Sequence, residues 1–231
     1  MDNSIVPQTF SEGENFEQKC LCVLVLDTSG SMNSSGAINE LNDGLNTFYD
    51  ETMKDMVTRD RLEVAIVSFN SDVKVIQEPD ILPNIAIPTL KATGQTQLVE
   101  AIKKAQDIIV NRKDYYKSQG IPYYRPWIVV MTDGDPYPDN QDIDGIAEQI
   151  RDDTDSKKYV FFIIGIGNEV RDEILNKLAT SEFPAARIDS VRFSEFFTWL
   201  SASASIVVKN TTGEDIANDW TKGFVISTDS D

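Results

Sequence analysis

The stretch CLCVLVLDTSGSM, Cys20 to Met32, decides the reading of the whole chain. Cys20 to Leu26 is short, wholly apolar and rich in branched side chains, the pattern of a strand covered on both faces in a parallel sheet. It runs directly into Asp27-Thr28-Ser29-Gly30-Ser31, which places a carboxylate and two hydroxyls, those of Ser29 and Ser31, on a turn leading toward a helix. Such a turn can project several oxygen atoms to one point.

Outward from this strand the same alternation repeats. Ile38, Leu41, Leu45, Phe48, Tyr49, Met53 and Met56 recur at three- and four-residue steps, so Ala37 to about Val57 reads as an amphipathic helix. Leu62 to Phe69 and Val73 to Ile76 flank Asn70-Ser71-Asp72, which predicts a hairpin whose second strand is a short antiparallel edge. The stretch EPDILPNIAIPTLKATG, with three Pro and a Gly, reads as a long loop delivering Thr96 to a helix from Gln97 to about Asn111. Then follow a strand Trp127 to Met131, a helix Ile143 to Asp152, a strand Val160 to Ile166 and a helix Arg171 to Ala179. A weak strand Arg187 to Val191 and a helix Ser194 to Ser205 complete the series. The expected fold class is α/β: a Rossmann-like, doubly wound, mostly parallel central sheet with one short antiparallel edge strand and helices on both faces. Residues 1–18 form an N-terminal extension, 19–206 one domain and 207–231 a tail without clean periodicity, in which Trp220, Phe224 and Val225 are candidates to cover an edge.

Composition narrows the function classes. The chain has 231 residues, 41% hydrophobic and 26% charged, enough for a sheet buried between two helical layers. Its 38 acidic against 21 basic residues give a net charge of −17, which repels nucleic acid and anionic membrane surfaces and favours a monomer. The absence of His removes the commonest general base, the Ser-His-Asp arrangement and every His-containing zinc site. Cys20 and Cys22 are one residue apart on a strand, poor geometry for a mutual disulfide, and read as buried free thiols in a reducing compartment. The N-terminus lacks the pattern of a signal peptide and no apolar run approaches the ~20 residues of a membrane span, so the expected setting is the cytoplasm.

In a sheet of this kind, ligand groups collect at the carboxyl ends of strands where strand order reverses. Asp27, Ser29 and Ser31 sit at one such end. Thr96 in Gly94-Gln95-Thr96 sits at a helix start, and Asp133 follows the strand WIVVM in Thr132-Asp133-Gly134. Hard oxygen donors without His or thiolate suit Mg²⁺, Mn²⁺ or Ca²⁺, and a small donor set favours the smaller ions. Taken singly, each motif is equally well a helix cap or a turn.

Together and in order, VLVLDTSGSM, GQTQL and VVMTDG resemble the metal-ion-dependent adhesion site of the von Willebrand factor A family, over about Lys19 to Ser205. The resemblance implies metal roles for Asp27, Ser29, Ser31, Thr96 and Asp133. The serines would contact the ion directly, and Thr96 and the two Asp directly or through water. It further implies Mg²⁺ bridging to an Asp or Glu of a protein partner. The TDGDPYPD turn and the FFTWLSAS helix are similar to the bacterial TerY-like branch linked to tellurite resistance and stress. Met32-Asn33-Ser34-Ser35 departs from receptors that carry paired acids here and an adjacent second cation site, so none is expected.

Two other classes compete. Phosphatases of the haloacid dehalogenase type also begin with a strand-end Asp, but they need a second acid two residues later, where this chain has Ser29. A metal-independent scaffold would have no use for all five oxygen positions. The acid-rich segment Asp133 to Asp155 reads as a solvated, helix-capping face or as a negative rim for a basic partner, with Asp135 the nearest outer residue. The tyrosines around 115–124 are equally suited to contact surface and to packing on the sheet edge.

Overall fold

A strand apolar at all but its last position is stable only with cover on both faces, and β1 (Cys20–Asp27) is buried along its whole length. The computed structural model describes residues 17–189 and 192–209. Residues 1–16, 190–191 and 210–231, the last including Trp220, Phe224 and Val225, lie outside the described residues. β1 pairs in parallel with β2 (Leu62–Phe69) on one side and with β4 (Trp127–Thr132) on the other. β5 (Val160–Ile166) and β6 (Ala186–Ile188) continue the parallel series, and β3 (Val73–Ile81) closes the far edge antiparallel to β2. The order is β3-β2-β1-β4-β5-β6, a mostly parallel, Rossmann-like sheet with one antiparallel strand.

Alternate side chains of β1 serve two cores, as the two-residue period of a strand requires. Cys20, Cys22, Leu24 and Leu26 face α2 (Ala37–Met53) and α7 (Phe193–Lys209). Leu21, Val23 and Val25 face the layer of α4 (Leu98–Gln119), α5 (Ile143–Asp155) and α6 (Asp172–Leu178). At Gly44, a Cβ would stand 2.6 Å from Phe197 Cδ2, so the missing side chain lets α2 and α7 close on each other. Cys20 and Cys22 are free and buried, as expected. Among the described residues no helix is long and apolar enough to cross a membrane.

The structure corrects several boundaries. The turn after β1 already contains a short helix, α1 (Gly30–Ser34). The expected helix from Ala37 to Val57 breaks after Met53, because the Asp55 carboxylate accepts the Thr58 amide at 2.9 Å and caps a new helix, α3 (Met56–Arg61). The edge strand β3 has nine residues rather than four. It alternates half-buried and exposed positions through Pro79, which an edge tolerates because one row of amides needs no strand partner. α4 continues past Asn111 to Gln119 and ends at Gly120 with φ +68°. Tyr115 and Tyr116 are therefore helical, and Tyr123 stacks on buried Tyr116 at 5.3 Å. Of the weak strand, Arg187 and Ile188 are paired, while 190–191 lie outside the described residues. α7 runs three residues beyond the expected domain end at 206.

Candidate metal centre

From β1 the chain crosses to β2, and from β4 it crosses to β5 on the opposite side, so a crevice opens between the carboxyl ends of β1 and β4. Asp27, the last residue of β1, is fully buried there. Its Oδ1 accepts the Ser29 amide at 2.7 Å and its Oδ2 accepts the Thr132 hydroxyl at 2.6 Å. The Ser29 and Ser31 hydroxyls lie 2.9 Å apart, and Ser31 Oγ donates to Asp133 Oδ1 at 2.6 Å. One chain of contacts thus joins four of the five expected residues.

Thr96 arrives from the loop before α4. Gly30 N–H donates to Gly94 O at 3.0 Å and Thr93 N–H to Thr28 O at 2.8 Å, tying that loop to the turn after β1. Thr96 and Tyr137 exchange both main-chain hydrogen bonds, at 3.3 and 3.0 Å. A Cβ built on Gly134 would lie 3.5 Å from Ser31 Oγ and 3.8 Å from Thr96 Oγ1, so both hydroxyls border the same small space and glycine leaves it open.

Gly94 is the hinge of this approach. Its φ is +81°, and a Cβ there would stand 2.6 Å from Ser71 Oγ, the group that accepts the Gln95 amide. Gly94→Ala is expected to cost about 2 kcal/mol in urea unfolding, from left-handed backbone plus displaced Ser71. It should also weaken divalent-cation binding by displacing Thr96. Unchanged stability and unchanged titration together would show that the loop does not hold Thr96 in place.

Burial pushes the Asp27 carboxyl up to about 6, against hydrogen bonds from Ser29 and Thr132, and the neighbouring Asp133 charge adds to the rise. Asp133 is raised as well, first by burial and then by Glu169. Among the described residues neither carboxylate has a Lys or Arg partner within ion-pair distance. Two uncompensated carboxylates bordered by three hydroxyls fit a hard cation. Among the described residues no three His, Cys, Asp or Glu side chains gather anywhere to hold an ion, so a cation here rests on two carboxylates plus neutral oxygens.

All five expected residues come together at this crevice. Asp135 does not join them: its two oxygens accept the Arg171 amide at 2.9 Å and Arg171 Nε at 2.5 Å. The nearby acids are largely structural too. Asp142 caps α5 by accepting the Gly145 amide at 2.9 Å, and Asp144 and Asp153 pair with Lys177 and Lys158. Sequence reasoning missed Thr132, which fixes Asp27, and Gln141, whose Nε2 donates to Thr96 O at 2.8 Å. Thr132 adjoins Asp133 and was open to inspection. Gln141 carries no local signal.

The model of the von Willebrand factor type A domain matches residues 22–197, most of the chain. The chain belongs to this family. No curated protein matches the sequence. Among solved structures, this von Willebrand A domain is similar to proximal thread matrix protein 1 from the mussel byssus with a zinc-occupied MIDAS motif. That match has 18% identity and a TM-score of 0.54, over 84% of this chain and 46% of that one. It is also similar to the PilB minor pilin from Streptococcus sanguinis, with 13% identity and a TM-score of 0.53 over 80% and 61%. The vWF domain of the type V pili tip protein Mfa5 from Porphyromonas gingivalis gives 10% identity and a TM-score of 0.56 over 84% and 97%. At these identities the likeness is one of fold. The chain spans about half the length of the byssus protein.

Proposed function

We propose that this von Willebrand A domain is a divalent-cation-dependent protein-binding module, with Mg²⁺ held by Asp27, Ser29, Ser31, Thr96 and Asp133 and bridging to an Asp or Glu of a partner protein. The observation that carries the reading is the pair of buried carboxylates, Asp27 and Asp133, set among hydroxyls without a cationic partner among the described residues. When bound, the ion supplies an electrophilic position that an outside carboxylate fills. The protein's own part is positioning. Thr132 and the Ser29 amide hold Asp27 in one orientation, and Ser31 links the turn after β1 to Asp133. Two carboxylates balance a divalent charge, and neutral Ser and Thr oxygens add none, which leaves the ion attractive to a further anion.

The reading is non-enzymatic. The residue two places after Asp27 is Ser29, whose hydroxyl is engaged with Ser31, so a phosphatase of haloacid dehalogenase type lacks its second acid. The zinc-occupied MIDAS motif of the byssus protein supports a divalent site on this fold. A bacterial stress or tellurite-resistance setting belongs to the proposal on the strength of TDGDPYPD and FFTWLSAS alone.

The test is calorimetric titration of Mg²⁺ and Mn²⁺ into chelator-treated protein. One saturable site is expected, weakened tenfold or more by Ser29→Ala. Absence of binding by the wild type, or equal binding by the variant, counts against the assignment.

A further inference from the structure

Few large apolar side chains are exposed among the described residues, and of these Tyr137, 55% exposed, is the one tied to the metal-site loops. Because Tyr137 and Thr96 exchange both main-chain hydrogen bonds, they are directly opposed in an antiparallel pair. Opposed residues project their side chains to the same face, with Cβ atoms about 4.5–5.5 Å apart. Thr96 Oγ1 borders the metal space, and the Tyr137 side chain leaves the pair on that same face.

The loop that carries this ring is held on both sides. Asp135, two residues earlier, accepts the main-chain amide and Nε of Arg171 at the head of α6. Gln141, four residues later, donates to Thr96 O at 2.8 Å and accepts the Val99 amide at 3.0 Å. An exposed aromatic on a braced loop loses little freedom when something covers it, and such residues supply a large share of binding energy at protein interfaces.

Resting on the metal-bridging reading above, we infer that Tyr137 is a partner-contacting, specificity-determining residue, and that the partner's segment carries an aromatic side chain two residues from its metal-binding Asp or Glu. In an extended segment, residues two apart point to the same side at about 6.6 Å. With its carboxylate over the crevice, such a segment can turn a second side chain toward the face that carries Tyr137. Adjacent residues point to opposite sides, which leaves Tyr137 bare.

The test uses blocked tripeptides, Asp-Ala-Phe and Phe-Ala-Asp against Asp-Ala-Ala, titrated into Mg²⁺-loaded protein, with NMR contacts between peptide and Tyr137 as a second readout. One Phe peptide is expected to bind about three- to tenfold more tightly than Asp-Ala-Ala, the range for an aromatic pair, and to show ring-to-ring contacts with Tyr137. Tyr137→Ala should abolish that preference, so that the Phe peptides and Asp-Ala-Ala bind alike, and Tyr137→Phe should retain it. Metal-dependent binding of all peptides with equal affinity overturns the role of Tyr137 and leaves the bridging site standing. Binding that ignores Mg²⁺, or no binding of any peptide, overturns the bridging reading and this inference with it.

Discussion

Asp27→Asn is expected to abolish saturable Mg²⁺ binding and, in the same protein, to raise the stability of the metal-free domain at pH 7. Both effects have one cause. In the metal-free fold the Asp27 carboxyl is pushed from its ordinary 3.8 up to about 6 by burial, so at pH 7 the native state holds a charge it would rather neutralise. A difference of this size corresponds to about 2–3 kcal/mol. The native state binds the proton more tightly than the unfolded chain, so the penalty is full above pH 6, is relieved as pH falls through 6, and is gone below about 4. Urea unfolding of chelator-treated proteins should therefore show the variant more stable at pH 7, with the gap to wild type closing toward pH 4. An Asn at this position can still accept the Ser29 amide, and the Thr132 hydroxyl retains Gly134 O at 3.1 Å as an alternative acceptor. A variant that is less stable at pH 7 would show that Asp27 is structural rather than strained for a cation.

Glu63→Ala should do the opposite. Glu63, 3% exposed at the start of β2, accepts Arg112 Nε and Nη2 at 2.7 and 2.8 Å and the Tyr116 hydroxyl at 2.6 Å. Lys19 and Cys20 also lie within its field. Removing one partner of a buried pair leaves the other uncompensated, which costs about 3–5 kcal/mol. The loss should appear as a lower urea midpoint. Glu63 and Phe69, the strand partner of Asp27, are six residues apart on β2, about 20 Å. Mg²⁺ affinity of the folded variant should accordingly stay within twofold of wild type. A loss below 1 kcal/mol, or a lost metal site, would contradict this division of labour between the two ends of the sheet.

Most of the fold, and the meeting of Asp27, Ser29, Ser31 and Asp133, were legible because hydrophobic runs mark strand ends, while Thr96 was placed by its helix start and the metal roles of all five by the family resemblance. CLCVLVL and WIVVM stop where Asp27 and Thr132-Asp133 begin, and parallel strands place those ends side by side. What escaped depends on partners far away in sequence. Gln141 and Tyr137 matter because they meet Thr96, more than forty residues earlier, and Asp135 turns away because Arg171 captures it. The Asp55 cap that splits α2 from α3 and the length of β3 were hidden for a different reason. An apolar period continued through Met56 in the first case, and Pro79 mimicked a strand end in the second.

The most direct measurement is anomalous diffraction from crystals grown with Mn²⁺. A single strong peak within coordination distance of Ser29 Oγ and Ser31 Oγ, in the crevice bordered by Asp27, Thr96 and Asp133, is the predicted result. Well-ordered crystals with no peak at that position, or with Mn²⁺ bound only elsewhere, would contradict a metal role for these five residues.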